Sequence, residues 1–455
     1  MTAGGPAAGP DGPVRGGVRG ALGGLTTRGR SFLAAGVAAA VCAYALGQAD
    51  LLRVGLLLAV LPLVAVLTLY RTRYRVTASR LLSPQRVPAG AEARVRLRMD
   101  NVSRLPTGLL MLQDQVPYVL GPRPRFVLDR VEPGGKREVS YRVRSDLRGR
   151  YPLGPLQLRL SDPFGMCELT RSFSSRDLLT VVPRTEALPP VRLAGETPGY
   201  GDGRQRSLAQ AGDDDVIPRG YRHGDDLRRV HWRSTARYGE LMVRREEQPQ
   251  QARCTVLLDT RAAGYTGGGP GSAFEWAVSG AASVVTHMME RGYAVRLLTD
   301  TGDVLPGDAA AASDGFTGSG QDAAEAVGLM MDLLSEVDHS DEDGLSGAYE
   351  VVRGGGQGLL VAFLGDLDEE QVALAGACAG RAGAAVAFVQ GEAAPGTVRG
   401  LRETGWTAVP VRPGDTLAVL WRQAGRNVSG HVTADGAAYE GTGAGLRSGH
   451  SGGWS

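Results

Sequence analysis

The sequence predicts a multi-domain protein with an N-terminal two-helix transmembrane hairpin, a β-sandwich-like module and a doubly wound α/β domain. Two long apolar segments stand near the start of the chain. Short stretches with a two-residue apolar repeat follow, and apolar strands alternating with amphipathic helices fill the C-terminal half. The 455 residues allow several hydrophobic cores, and the formal net charge of +2 gives no overall field that would attract nucleic acid.

The first predicted part is a membrane hairpin at residues 31–70, after a tail at 1–30 that has too few bulky apolar side chains to fold. About 20 apolar residues span a bilayer, and Ser31–Gly47 and Leu51–Tyr70 meet or approach that length. The flanking cations are Arg15, Arg19, Arg28 and Arg30 before the hairpin, and Arg71, Arg73, Arg75 and Arg80 after it. The positive-inside rule therefore places both termini and the soluble parts in the cytoplasm, at the cell membrane. A signal peptide cleaved near Ala43–Ala45 is the alternative, which the long charged tail and the second apolar segment disfavour.

The second part, at 75–185, is predicted to be a β-sandwich-like module. From Ala93 to Met99 apolar and charged residues alternate, as in a strand with one face in water. Similar stretches recur between Pro- and Gly-rich turns, which is typical of an antiparallel sandwich. Asp162–Gly165 is interpreted as a tight turn without catalytic character.

The third part, at 251–427, is predicted to be the α/β domain, followed by a disordered Gly- and Ser-rich tail at 428–455. The apolar run Cys254–Asp259 precedes a helix whose apolar residues, from Phe274 to Met288, recur at three and four positions. Apolar strands that alternate with such helices predict a parallel sheet with both faces covered.

Three aspartates follow apolar strands of this sheet, where ligands bind in open α/β folds: Asp259, Asp300 and Asp366. The pattern resembles a von Willebrand factor A domain, whose metal site begins with Asp-x-Ser-x-Ser after the first strand. The corresponding segment, Asp259 to Ala263, has lost both serines, and Arg261 places a cation where the metal would lie. Asp259 and Asp366 are therefore weak metal candidates, and an ion pair with Arg261 is favoured.

A charged segment at 186–250 joins the two modules. We expect a helix that begins at the capping pair Asp225–Asp226 and ends at Gly239, with Leu227, Val230 and Ser234 on one face. From Asp213 to Glu247 eight arginines are balanced by eight acidic residues, so the excess of cations that nucleic-acid binding needs is missing.

Two functional interpretations of this segment remain. His231 beside Asp225 or Asp226 could act as a general base, but no nucleophile accompanies it. Alternatively, mixed Arg and Asp residues with a buried Trp232 form an interdomain clasp, or an exposed cluster receives an acidic partner. The candidate interaction residues are Arg219, Tyr221, Gly224, Asp225, Asp226, Arg228, His231, Trp232, Arg233 and Arg237.

The ordered runs Pro218–Trp232, Thr235–Arg237 and Gly239–Arg244 resemble the signature of a bacterial family, domain-of-unknown-function family fifty-eight. The resemblance implies a membrane-anchored partner or adaptor of a MoxR-type AAA+ ATPase. We therefore expect a scaffold without catalytic activity or cofactor, in contact with the lipid bilayer. The alternative is a metal-dependent enzyme or metal-mediated binding domain that uses Asp259, Asp366 and the His231 region. The client and the oligomeric state are left open.

Overall fold

The chain divides into two compact units between Arg184 and Thr185. Both predicted tails, apart from 23–30, lie outside the part of the chain that the structure describes. The computed structural model describes residues 23–73, 76–104, 106–162, 164–191, 193, 218–221, 230, 232–244, 252–305, 315–317, 323–355, 358–390 and 395–426.

The first unit begins with two helices, α1 (Thr27–Leu46) and α2 (Ala49–Arg73), which are long and apolar enough to cross a membrane. The first helix begins before Ser31, where the hairpin is predicted to start, because the Thr26 side chain accepts a hydrogen bond from the Gly29 N–H (3.3 Å) and caps it. Glycines bring the two helices together: a Cβ on Gly36 would lie 2.6 Å from the backbone nitrogen of Ala59. Small residues permit such close approach between apolar helices.

Ten strands in three sheets follow, and they share one hydrophobic core with α2. The predicted alternation is confirmed in β3, where Ala93, Val95, Leu97 and Met99 point inward and are buried. All strand pairs are antiparallel except β2 with β10, and the sheet orders are β1-β3-β6, β5-β4-β8-β9 and β2-β10-β7. The strands are β1 Val76–Ser83, β2 Arg86–Pro88, β3 Glu92–Asn101, β4 Leu110–Asp114, β5 Arg125–Leu128, β6 Lys136–Arg144, β7 Gly149–Leu153, β8 Leu156–Ser161, β9 Glu168–Phe173 and β10 Asp177–Val182.

A buried arginine ties the three sheets together. Arg80 of β1 donates from Nε to Asp114 Oδ2 of β4 (2.9 Å) and from Nη1 to Asp177 Oδ2 of β10 (3.0 Å). The Tyr141 hydroxyl of β6 donates to the same Asp114 oxygen (2.6 Å). Burial alone would lower the pKa of Arg80, but its hydrogen bonds to Asp114 and the charge of that carboxylate raise the pKa above its usual value.

This pairing removes Arg80 from the cations that bear on membrane orientation. Its place in the sequence, after the second apolar helix, predicts a flanking cation, yet its guanidinium is buried against Asp114. A buried, paired arginine does not face lipid headgroups, so only arginines closer to α2 can bear on membrane orientation.

The second unit is built around a six-stranded sheet of order β15-β14-β13-β16-β17-β18. Five strands are parallel and the short β15 at the edge is antiparallel, so the predicted α/β sheet is confirmed. The strands are β13 Arg253–Leu258, β14 Ala294–Thr299, β15 Val304–Leu305, β16 Leu359–Leu364, β17 Ala384–Val389 and β18 Thr407–Pro410. The helices are α4 Ala273–Glu290, α5 Ala323–Glu336, α6 Ser346–Gly354, α7 Glu369–Ala379, α8 Pro395–Glu403 and a last helix, α9, over 417–426.

The chain order of this sheet reverses beside β13, whose neighbours are β14 on one side and β16 on the other. In open α/β sheets the crevice at such a reversal, beyond the carboxyl ends of the strands, is the usual ligand site. Asp259 follows β13 directly, and Asp366 lies two residues after the end of β16. The predicted candidates therefore flank the place where this fold class binds ligands.

Candidate functional site

The crevice between β13 and β16 is occupied by a buried ion pair. Asp259 and Arg261 are both buried, and their contact is bidentate. Arg261 donates from Nε to Asp259 Oδ1 (2.9 Å) and from Nη2 to Oδ2 (2.7 Å). Burial opposes the charge of Arg261, but hydrogen bonds to Asp259 and the charge of that carboxylate raise the pKa of the guanidinium.

Residues that follow the neighbouring strand β16 make further contacts with the Asp259–Arg261 pair. The Gly365 N–H donates to Asp259 Oδ2 (2.9 Å), and Arg261 Nη2 also donates to the main-chain oxygen of Asp366 (3.0 Å). The Asp366 side chain is exposed and accepts from the Leu367 N–H (3.1 Å), so its carboxylate is not part of the pair. The two aspartates predicted as metal candidates thus lie at one crevice but do not converge on one point.

A second buried carboxylate lies beside this pair. Asp300 accepts from the Thr260 N–H (2.7 Å) and from the Thr260 and Ser340 hydroxyls. Tyr265 closes the site by donating from its hydroxyl to the Asp259 main-chain oxygen (2.9 Å). Burial, and then the charge of Asp259, raise the pKa of Tyr265 well above its usual value, so this phenol stays neutral.

The chemical character of the crevice follows from these contacts. Both oxygens of Asp259 are hydrogen-bonded, and a cation already faces them in the form of the Arg261 guanidinium. A divalent ion at Asp259 would have to displace that guanidinium. Within the described ranges no group of three or more His, Cys, Asp or Glu side chains is arranged to hold a metal ion.

The charged segment predicted as the second candidate site forms a small folded element of its own. Strands β11 (Pro218–Gly220) and β12 (Met242–Arg244) pair antiparallel, and helix α3 (Trp232–Tyr238) lies between them in the chain. The Thr235 hydroxyl accepts from the Met242 N–H (3.0 Å), and Gly239, with φ +75°, lets the chain turn after the helix. The hydrogen bond to Thr235 thus holds the helix against the start of β12.

The helix is shorter than the sequence pattern predicts. Val230 lies in a β-bridge with Val243 and is buried, so the helix does not extend back through it to the capping pair Asp225–Asp226. The apolar spacing of Val230 fits a helix and a strand equally. Its pairing with Val243, thirteen positions later, places it in a bridge instead of the helix. Five candidate residues lie outside the described part of the chain: Gly224, Asp225, Asp226, Arg228 and His231.

The remaining candidates of this segment are divided between backbone and surface roles. Arg219 pairs with Val243 in the β11–β12 ladder, and the Tyr221 N–H donates to the Leu241 main-chain oxygen (2.8 Å). Arg233 and Arg237 are exposed, and the Arg237 guanidinium lies 5.9 Å from the centre of the Tyr238 ring. Trp232 lies on the same helix, and its side chain is 71% exposed.

That exposure favours one of the two interpretations of the segment. The clasp as predicted has a buried Trp232, whereas 71% of this side chain is open to solvent. Tyr238 and Leu241, at 63% and 42%, are exposed on the same element. We therefore carry forward the interpretation in which this surface receives a partner.

Two groups of contacts were missed by the sequence analysis. Ser340 and Gly365 have no motif around them, and only the fold brings them to Asp300 and Asp259. The pair of Arg80 and Asp114 has no sequence signal either, because the two residues are 34 positions apart on different sheets. Arg261 was visible because it stands two positions from Asp259.

Comparisons with solved structures give only distant likenesses. The CARDB domain of a Pyrococcus furiosus protein, in complex with di-metal ions, is 10% identical, with 24% of this chain and 87% of that chain covered and a TM-score of 0.17. A putative ApaA protein from Bordetella pertussis is 12% identical, with 24% and 94% covered and a TM-score of 0.18. The sporulation control protein Spo0M from Bacillus subtilis is 12% identical, with 24% and 49% covered and a TM-score of 0.16. Such low TM-scores carry no argument about this chain.

Among curated proteins none matches this chain. A family model does match, over residues 218–312, and its description is "Protein of unknown function DUF58". The matched residues begin at β11, include the helix that carries Trp232 and extend past β13 and β14. The resemblance drawn from the charged segment is thereby confirmed: residues 218–312 match the DUF58 family model.

Proposed function

We propose that this chain is a membrane-anchored, cytoplasm-facing docking protein without catalytic activity. Its family segment, residues 218–244 at the start of the family match, binds a protein partner through Trp232. One observation carries the proposal. An indole that is 71% exposed stands on a short helix, which is preceded by the Val230–Val243 bridge and held by the hydrogen bond from the Met242 N–H to the Thr235 hydroxyl. Exposed aromatic residues next to arginines are typical of the residues that contribute most to protein interfaces.

The proposed anchor is the α1–α2 hairpin. The 20 residues of α1 reach about 30 Å at about 1.5 Å per residue, which equals the thickness of a bilayer's hydrocarbon core. Arg28 and Arg30 precede the apolar part of α1, and Arg71, Arg73 and Arg75 stand at or after the end of α2. Positive-inside orientation then leaves both soluble units in the cytoplasm.

The α/β domain is proposed to be von Willebrand factor A-like. Its strand order and the position of Asp259 directly after the first strand support this assignment. Because Arg261 pairs with Asp259, a contact that shares a metal ion with a partner is disfavoured. The same pair disfavours the alternative of a metal-dependent enzyme that uses Asp259, Asp366 and the His231 region.

The family resemblance names the expected partner as a MoxR-type AAA+ ATPase or its client. The exposed Arg237, on the same helix as Trp232, fits an acidic surface on that partner. The role proposed for the chain is to hold such a partner at the membrane.

Affinity purification of the full chain from membranes tests the proposal. With a non-hydrolysable ATP analogue present, the wild type should recover a MoxR-type ATPase, and Trp232→Ala should lose it. Because the indole is exposed, Trp232→Ala should change the unfolding free energy by less than about 0.5 kcal/mol. The matched control is Leu329→Ala, another exposed apolar residue of the same unit, which should retain the ATPase. Equal recovery by Trp232→Ala, or no ATPase with the wild type, would contradict the proposal.

A further inference from the structure

The turn at Asp162–Gly165 has a defined internal structure. Asp162 is buried, and its carboxylate accepts from the N–H groups of Phe164 (3.1 Å) and Cys167 (2.6 Å). Gly165 has φ +67°, a backbone conformation that favours glycine. Asp162 thus holds the turn closed from inside, and the Phe164 side chain projects outward with 62% of its surface exposed.

This turn is attached to the start of the first apolar helix. The Thr26 hydroxyl donates to the Gly165 main-chain oxygen (2.7 Å), and the Thr26 N–H donates to that of Met166 (3.0 Å). Leu25 forms a β-bridge with Cys167. A Cβ on Gly29 would lie 2.2 Å from the Met166 oxygen, so only glycine permits this approach. The position of the turn along the bilayer normal is therefore set by the position of the N-terminus of α1.

The length of α1 places that N-terminus at the edge of the hydrocarbon layer. The helix spans 20 residues from Thr27 to Leu46, about 30 Å at about 1.5 Å per residue. The hydrocarbon core of a bilayer is also about 30 Å thick. In the proposed hairpin, with the short connection after Leu46 at the far surface, Thr27 and the turn bonded to Thr26 would lie at the near boundary between acyl chains and headgroups.

The strand register brings a second loop to the same end of the β module. Val76, shortly after α2, pairs with Asn101 at the end of β3, and Leu160, just before the Asp162 turn, pairs with Leu110 at the start of β4. The β3–β4 loop therefore begins and ends at the end where both apolar helices join the module. The Ser161 N–H donates to the Leu109 oxygen (3.1 Å), which places that loop directly against the turn.

These two loops expose apolar side chains at this boundary. Val102 is 65% exposed, Leu109 is 49% exposed and Phe164 is 62% exposed. Arginines accompany them: Arg104 is exposed, and Arg28 Nη1 lies 3.8 Å from the position of a Cβ on Gly165. Apolar tips with nearby cations are the composition of surfaces that lie in a bilayer interface.

The third loop at this end has a different character. It joins β5 to β6 and exposes Asp129 and Glu132, with Arg130 paired to Glu132 (3.2 Å). Carboxylates of this kind stay in water rather than enter the interface. Lipid contact is therefore confined to the β3–β4 loop and the Asp162–Gly165 turn.

We infer that the β module itself rests in the membrane interface, with Phe164, Val102 and Leu109 inserted among the lipid headgroups down to the acyl boundary. The partner of this surface is the bilayer, and the contact fixes the tilt of the module relative to the membrane. The inference rests on the proposed membrane insertion of the hairpin and adds a lipid-binding surface outside it.

Fluorescence quenching in lipid nanodiscs of neutral phospholipid tests the inference on the full chain. Phe164→Cys is labelled with an environment-sensitive fluorophore in a Cys42→Ala background, since the other native cysteines are buried. The label should emit at shorter wavelength than in water, be quenched by brominated lipid and be protected from iodide. Tyr118→Cys, at a 95% exposed aromatic position beyond the opposite end of β4, is the matched control and should show the reverse.

Two further labels separate the possible failures. Native Cys42, exposed on α1, reports whether the hairpin lies in lipid, and Leu109→Cys repeats the test on the second loop. Lipid quenching at Cys42 with iodide quenching at positions 164 and 109 would overturn the inference and leave the anchor intact. Iodide quenching at Cys42 would overturn the proposed anchor and the inference with it.

Discussion

Each unit buries an arginine against an aspartate, but the two pairs stabilise different things. Arg80 and Asp114 are 34 residues apart and join strands of two sheets, with Asp177 adding the third. Arg261 and Asp259 are two residues apart on one loop and occupy the crevice between β13 and β16. The same kind of contact thus joins sheets in one unit and occupies the end of a single sheet in the other.

The difference teaches that the role of a buried ion pair depends on what its partners connect. Removing one member leaves an uncompensated buried charge in either case. In the β module the loss also disconnects sheets, whereas in the α/β domain the sheet remains joined by its own backbone ladder. Two substitutions, one in each pair, make this distinction measurable.

The largest effect is expected for Asp114→Ala. This substitution leaves the buried Arg80 without its main counter-ion and removes the acceptor of the Tyr141 hydroxyl. The free energy of unfolding of the first unit should therefore fall by about 3–5 kcal/mol. Native-state hydrogen exchange of the full chain, read on β1, β4 and β6, measures the local free energy of opening. Exchange in β13 and β16 should stay unchanged.

A matched surface pair provides the control for this prediction. Arg98 and Asp100 are partly exposed and 3.3 Å apart, so Arg98→Ala should cost less than about 1 kcal/mol. If Asp114→Ala has no larger effect than Arg98→Ala, the buried arginine does not hold the sheets together.

Arg261→Ser should have a smaller effect on stability, about 3 kcal/mol, and a second effect that the β module cannot show. It leaves Asp259 without a counter-ion at a crevice suited to ligands, so Mg²⁺ should raise the melting temperature of the variant and leave that of the wild type unchanged. Arg261→Lys keeps a cation at this position and should remain insensitive to Mg²⁺. Stabilisation of the wild type by Mg²⁺ would show that the guanidinium does not exclude the ion.

The smallest effect concerns one buried thiol in each unit. Burial raises the pKa of Cys378 to about 11, whereas burial and the charge of Asp162 raise that of Cys167 to about 11. Because a thiol in the unfolded chain has a pKa of about 8.5, the folded state holds these protons more tightly. Their stabilisation is complete below about pH 8.5 and is lost as the pH rises towards 11, by at most about 3 kcal/mol for each thiol.

Alkylation rates of the folded chain against pH, read by mass spectrometry, measure these pKa values. Asp162→Asn should lower the apparent pKa of Cys167 and leave that of Cys378 unchanged. Ordinary midpoints near 8.5 for both thiols in the wild type would contradict the burial of these groups.

Local features of both units could be predicted from the sequence because their causes are local. The alternation from Ala93 to Met99 and the helix that follows Ser272 depend on neighbours within a few positions. The cation at Arg261 was visible for the same reason. The partners of Arg80 were not visible, since only the folded sheets bring Asp114 and Tyr141 to it, and its charge alone made it look like a membrane flank.

The family segment shows the same limit at shorter range. Val230 fits the apolar spacing of a helix, but its pairing with Val243 draws it into a bridge. The exposure of Trp232 could not be predicted either, because a tryptophan in a mixed-charge segment is compatible with a core or a surface. Its position depends on where the backbone pairs, which periodicity does not report.

Arg261 also changes how the crevice would respond to its surroundings. A bound metal ion can be removed by a chelator or by dilution, and its occupancy follows the concentration of free ion. The guanidinium is covalently part of the chain, so its local concentration is constant, and its hydrogen bonds to Asp259 leave no exchangeable ion to remove. We therefore expect the charge state of this crevice to be set when the protein folds and to be unaffected by chelators.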